Sequence, residues 1–198
     1  MTIAWCLFAS VGIIMARYGK DLNTSILGKK IWFRTHQLCM ITTWLLTIAG
    51  VVLIYLEKGF DPLKPDQIYR NPHGLIGLLA SIFAFIQPFM AILRPGPESS
   101  KRWIFNYSHL FAGTISILFS ITALLLMNGL DSLKIDQETT LIATIVFAAS
   151  YVTIHILCSL ASWTLKDSSK NKIIVPLLLF TALIGGAVSS VIIYCLIQ

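Results

Sequence analysis

Apolar residues fall in six long runs, residues 2–16, 32–56, 73–93, 104–127, 140–165 and 174–197, and the charged residues gather between them. Five of the runs hold roughly 20 residues or more, which at ~1.5 Å per residue crosses ~30 Å of hydrocarbon as a helix. The pattern predicts an all-α, polytopic membrane helix bundle of about six transmembrane helices, one domain over residues 1–198. The first run is the exception, because its 15 residues cover only ~23 Å. It does not read as a signal peptide: no positive charge precedes Arg17, and the run ends in Ala16-Arg17-Tyr18 rather than at a cleavage site. The expectation is an incomplete first helix, with its beginning and an external domain lying ahead of the sequence given.

Composition strengthens this picture. Of 198 residues, 56% are hydrophobic and 12% charged, about half the charge of an ordinary soluble domain, and the mean hydropathy is +0.78. The net charge of +6 would suggest a nucleic-acid surface in a soluble protein, but here the cations sit in short loops. Eleven of the 15 basic residues lie on one side of the predicted topology: Arg17, Lys20, Lys29, Lys30, Arg34, Arg94, Lys101, Arg102, Lys166, Lys170 and Lys172. Lys58, Lys64, Arg70 and Lys134 lie on the other. The positive-inside rule makes the first side cytoplasmic. The loops after helices 1, 3 and 5 are then cytoplasmic and both termini extracytoplasmic. Cys6, Cys39, Cys158 and Cys195 all fall inside apolar runs with no CxxC pair, so they read as buried small hydrophobes. Asn71-Pro72 reads as an N-cap and first helical position ahead of His73, and Arg94-Pro95-Gly96-Pro97 stops that helix. Pro88 and Pro176 are candidate kinks.

The four histidines, His36, His73, His109 and His155, each belong to a different helix. Ionisable side chains at such depths point to function, because lipid penalises them. His36 and His109 each stand about five residues inside their runs, ~8 Å below the cytoplasmic face. Matched depth on two parallel helices of a bundle is what two axial ligands of one iron require. His73 opens the third helix on the opposite side, and His155 lies ~20 Å away in depth. Two nitrogens on one metal must come within ~4 Å, so His73 and His155 should not share an iron, and a core hydrogen bond suits His155 better. Gly77 and Gly113 follow His73 and His109 by four positions, where a missing side chain lets a flat macrocycle approach the backbone.

The string Leu93-Arg94-Pro95, then Arg102, Phe105-Asn106-Tyr107 and His109 with Gly113, resembles the cytochrome b561 domain. It is most similar to the branch fused behind extracellular DOMON and reeler domains, the ferric-chelate reductase 1-like proteins. Ala16-Arg17-Tyr18, Trp32-Phe33 before His36, and His73 with Gly77 match the same pattern. The likeness runs from about Met1 to Gly129, with the last two helices less distinctive. The resemblance implies two haems b in a core built from the first four helices. His36 and His109 would hold the cytoplasmic-side haem, and His73 one face of the outer haem. The family's fourth ligand, in a His-Gly motif near the start of the first helix, is absent from this sequence.

The resemblance also implies an oxidoreductase that carries electrons from cytosolic ascorbate to an outside acceptor such as ferric chelate. A donor anion would dock among Arg17, Arg34, Arg94, Lys101 and Arg102, and Tyr69 and Arg70 lie near the outer end. Lipid is the obligatory partner, and a homodimer is compatible with the sequence. The alternative is a truncated, non-enzymatic membrane module binding one haem or none. A proton-relay transporter fits less well, since Glu57, Asp61, Asp66 and Glu138 lie in loops or at helix ends. No GxSxG, P-loop, HExxH or GxGxxG motif is present, and no aromatic–basic pattern for nucleic acid.

Overall fold

A backbone in hydrocarbon must satisfy its own N–H and C=O groups, and the apolar runs do so as helices. The computed structural model describes residues 1–22, 24–58, 69–70, 72–130 and 136–197. Its helices are α1 (Ile3–Asp21), α2 (Ile31–Lys58), α3 (His73–Ile92), α4 (Arg102–Met127), α5 (Gln137–Thr164) and α6 (Asp167–Ile197). All six are long and apolar enough to cross a membrane. The protein is all-α and multi-pass.

Two helix ends depart from the hydropathy boundaries. α1 continues through Arg17 and Tyr18 to Asp21, which gives 19 residues and corrects the expectation of a run too short to span. A helix need not stop where apolar residues stop, because long basic side chains can reach back toward water. α6 likewise begins at Asp167, well before residue 174, and Pro176 sits inside it as Pro88 sits inside α3. The polar start of α6 is tied to the end of α1: Lys170 pairs with the Asp21 carboxylate, and Asn171 Nδ2 donates to the Asp21 carbonyl at 3.3 Å. Between α1 and α2 the chain forms a hairpin, with β1 (Ser25–Ile26) antiparallel to β2 (Lys29–Lys30). Its two-residue turn puts Leu27 at φ 50° and Gly28 at φ 73°, the left-handed pair that matches strand twist. Pro72 occupies the cap position of α3, while Asn71, Lys64 and Lys134 lie outside the described residues.

The chain divides into two units. The first holds residues 1–43 and 131–198, with α1 packed against α5, α6 and the first part of α2. Between helices in lipid, close approach and hydrogen bonds replace the hydrophobic effect, and α1 is built for both. A Cβ on Gly185 of α6 would overlap the Cys6 carbonyl of α1. Thr43 Oγ1 of α2 donates to the Ala4 carbonyl at 3.1 Å. Phe147, Ile154, Cys158, Ile174 and Ile192 complete this core. All four cysteines are buried and free.

The second unit, residues 44–130, holds the rest of α2 with α3 and α4. α3 and α4 run antiparallel, clamped by Ser116 Oγ donating to the Ala80 carbonyl at 2.7 Å and by His73 meeting the Ala123 carbonyl. These anchor points are seven residues apart on each helix, two turns along one face. Phe83 against Phe119 (6.1 Å) and Trp44 on Phe85 (5.9 Å) fill the space beside them.

Candidate functional site

His36 lies in the second turn of α2, where its Nδ1 stands 3.0 Å from the Gly12 carbonyl of α1. A carbonyl only accepts, so Nδ1 must carry the proton and the lone pair resides on Nε2. That is the tautomer and the second-sphere bond of a metal-ligating imidazole. The contact depends on Gly12: a Cβ there would come within 2.8 Å of Cys39 Cβ and 2.6 Å of Met40 Cε.

His73, the first residue of α3, repeats the device in the second unit. Its Nδ1–H donates to the Ala123 carbonyl of α4 at 2.8 Å. Gly77, one turn later, has open space where a Cβ would stand.

His109 lies in the third turn of α4 and stacks on Phe105, with centroids 5.3 Å apart and planes 19° apart. The guanidinium groups of Arg94 and Arg102 approach the same Phe105 ring at 5.6 and 5.8 Å. Burial, and then the neighbouring Arg102 charge, lower the Arg94 pKa from its ordinary value. Arg102 also donates to the Pro95 carbonyl and, at 3.3 Å, to Asn106 Oδ1, which holds the loop against α4. A Cβ on Gly113 would meet only the Gln87 amide, at 3.9 Å. Gln87 Nε2 is buried with no hydrogen-bond partner among the described residues, which marks it as a residue the sequence reading missed. Its signal was an uncharged polar side chain within an apolar run.

His155 sits in α5 between two tyrosines. Its ring lies 4.6 Å from that of Tyr151, and its Nδ1 is 3.1 Å from the Tyr18 hydroxyl of α1. Tyr18 also donates to the His155 carbonyl at 3.1 Å and lies 2.8 Å from Ser159 Oγ.

Of the five cations expected around a donor anion, the structure gathers Arg94 and Arg102 about Phe105, with Lys101 exposed beside them. Arg34 donates to the Leu27 carbonyl at 3.2 Å and to Gln37 at 3.4 Å, and Arg17 lies over the Tyr18 ring. His36 and His155 belong to the first unit, His73 and His109 to the second. No three His, Cys, Asp or Glu side chains gather among the described residues. The Nδ1-oriented imidazoles of His36 and His73, and the space one turn after His73 at Gly77 and after His109 at Gly113, fit the approach of a flat macrocycle.

The sequence model of the family described as eukaryotic cytochrome b561 matches residues 1–134. The chain is 31% identical over 86% of its length to the "Putative ferric-chelate reductase 1" of Xenopus laevis, covering 28% of that protein. It is 36% identical over 81% of its length to the Drosophila melanogaster homolog of that name, covering 23%. To "Ferric-chelate reductase 1" of Homo sapiens it is 26% identical over 84% of its length, covering 28%. The chain thus spans about a quarter of the length of these relatives. No solved structure matches it.

Proposed function

The chain belongs to the eukaryotic cytochrome b561 family, and from that premise we propose that it carries electrons across a membrane through b-type haem, as the transmembrane part of a ferric reductase. His36 and His109 would hold the cytoplasmic-side haem, and His73 would serve as a ligand of the outer haem. Haem, when bound, supplies a one-electron iron couple whose potential follows its axial ligands and their hydrogen bonds. The backbone carbonyls of Gly12 and Ala123 fix ring orientation and keep the Nε2 lone pair available for ligation. By polarising the Nδ1–H they make each imidazole a stronger donor, which favours the oxidised state. The apolar helix faces exclude water, and no side chain needs to make or break a covalent bond.

The donor is an anionic enediol of the ascorbate class, docking on Arg94, Lys101 and Arg102 beside Phe105 and His109. Arg34 already donates to the Leu27 carbonyl and to Gln37, and Arg17 belongs with it to the first unit, so the proposed docking surface is that of the second unit. The acceptor is a ferric chelate at the opposite face, beyond His73 and near Tyr69 and Arg70. With the Arg94 and Lys166 loops cytoplasmic, the inside-negative potential assists outward electron flow by ~2.3 kcal/mol per 100 mV for a full crossing.

The observation that carries this reading is the shared arrangement of His36 and His73, each with Nδ1–H given to a carbonyl of a neighbouring helix. The test is a dithionite-reduced minus oxidised spectrum of the purified protein in nanodiscs. Bis-imidazole haem bands should appear, fall in His36→Ala and His109→Ala, and persist in His155→Ala. A wild-type protein without such bands, or a His36→Ala variant with undiminished bands, refutes the assignment and favours the non-enzymatic module.

A further inference from the structure

We propose that the cavity between the C-terminal end of α1 and the second half of α5 binds one anionic glycerophospholipid from the bilayer. This goes beyond the electron-transfer reading and does not depend on it. The cavity has a volume of about 380 Å³, and Arg17, Tyr18, His155, Ser159 and Trp163 are among its walls. Tyr151 and three apolar residues complete the lining, the latter being Val152, Ile156 and Leu160, spaced four residues apart along one face of α5. Each of these three is half or more exposed, at 55%, 55% and 50%, and Trp163 beyond them is 87% exposed. On a helix of membrane-spanning length, such a stripe is a channel for an acyl chain, and a Trp at its end suits the interface.

The charge at the mouth decides the headgroup. Arg17 is exposed, and no carboxylate among the described residues pairs with it. The acid nearest to it in sequence, Asp21, is already taken by Lys170. Among the described residues no acid answers Arg17, and a guanidinium matches a lipid phosphate in both charge and fork geometry. Farther in, the Tyr18 hydroxyl already has Ser159 and the His155 carbonyl as partners, so the inner wall suits a tail better than a second polar group. At the edge of that wall, His155 Nε2 is buried with no hydrogen-bond partner among the described residues. Such an atom calls for an explanation, and a water held by the ester carbonyls of the glycerol region supplies one.

Native mass spectrometry of the whole protein, released from nanodiscs of phosphatidylcholine with or without phosphatidylserine, tests this. The wild type should retain one phosphatidylserine, and retention should fall about tenfold in Arg17→Gln, as for loss of one charge-assisted contact, with partial recovery in Arg17→Lys. Ile156→Trp, which fills the slot from the tail side, should lower retention while leaving Arg17 in place. Circular dichroism verifies that each variant is folded. Equal retention of phosphatidylcholine, binding of inorganic phosphate alone, displacement of the lipid by a neutral quinone, or no effect of either substitution overturns the proposal.

Discussion

Replacing Gly12 with alanine puts a methyl group where α1 and α2 touch, and its consequence for His36 follows from distances. The new Cβ would stand 2.6 Å from Met40 Cε and 2.8 Å from Cys39 Cβ. Met40 Cε ends a flexible side chain and can swing away. Cys39 Cβ is fixed to the backbone of α2, so the helices must part by about 0.6 Å to reach the 3.4 Å at which ordinary contact begins. The same displacement stretches the His36 Nδ1···O=C Gly12 contact from 3.0 Å to roughly 3.6 Å, which is no longer a hydrogen bond. Overpacking costs ~1–3 kcal/mol and the lost bond ~1 kcal/mol, so the variant should be destabilised by about 2–4 kcal/mol. Without the carbonyl, the imidazole donates less electron density, and the midpoint potential of a haem held by His36 should rise. If the bond's ~1 kcal/mol acts wholly on the oxidised state, the rise is about 40 mV, since 59 mV is tenfold for one electron. Spectroelectrochemical titration in nanodiscs reads this directly, with Gly186→Ala as the control, because nothing lies within 4 Å of its added Cβ. A Gly12→Ala protein that keeps its haem at the wild-type potential refutes the idea that the Gly12 carbonyl tunes His36.

Further outcomes follow from the same distances. Gly185→Ala drives a methyl group into the Cys6 carbonyl, with the Cys6 carbonyl carbon at 2.8 Å and Leu7 Cα at 3.0 Å. Backbone cannot yield as a side chain does, so thermal melting in detergent should show a large loss of stability, while Gly186→Ala melts like the wild type. Ser116→Ala removes the bond to the Ala80 carbonyl and should lower stability by about 0.6–1.7 kcal/mol, measured by the same melts, with the haem spectrum unchanged. Asp136 caps α5 by accepting from Thr139 Oγ1 at 2.6 Å and Thr139 N at 3.2 Å, and these bonds hold its pKa below the ordinary value. A lowered folded pKa means the cap is complete above about pH 3.9 and is lost as pH falls through the lowered value. Amide exchange in the first turn of α5 should therefore accelerate in acid, and Asp136→Ala should show the faster exchange at every pH.

The membrane-spanning helices could be read from the chain because the bilayer thickness sets a run length, and run length is a property of consecutive residues. The histidines were legible for a related reason: an ionisable group within 20 apolar neighbours stands out whatever the tertiary arrangement. The motifs from Leu93 to Gly113 pointed to the family on local order alone. Helix ends were less legible, since the continuation of α1 to Asp21 and the start of α6 at Asp167 depend on a mutual contact, Asp21 with Lys170 and Asn171. The partners of His36 and His73 were out of reach altogether. They are the carbonyls of Gly12 and Ala123, groups that every residue carries and no letter of the sequence distinguishes. The meeting of Tyr18 with His155, 137 residues apart, was equally hidden. Which carbonyl or hydroxyl faces an imidazole is set by the register and spacing of neighbouring helices. In lipid those follow from small residues that permit close approach, so only the packed structure decided them.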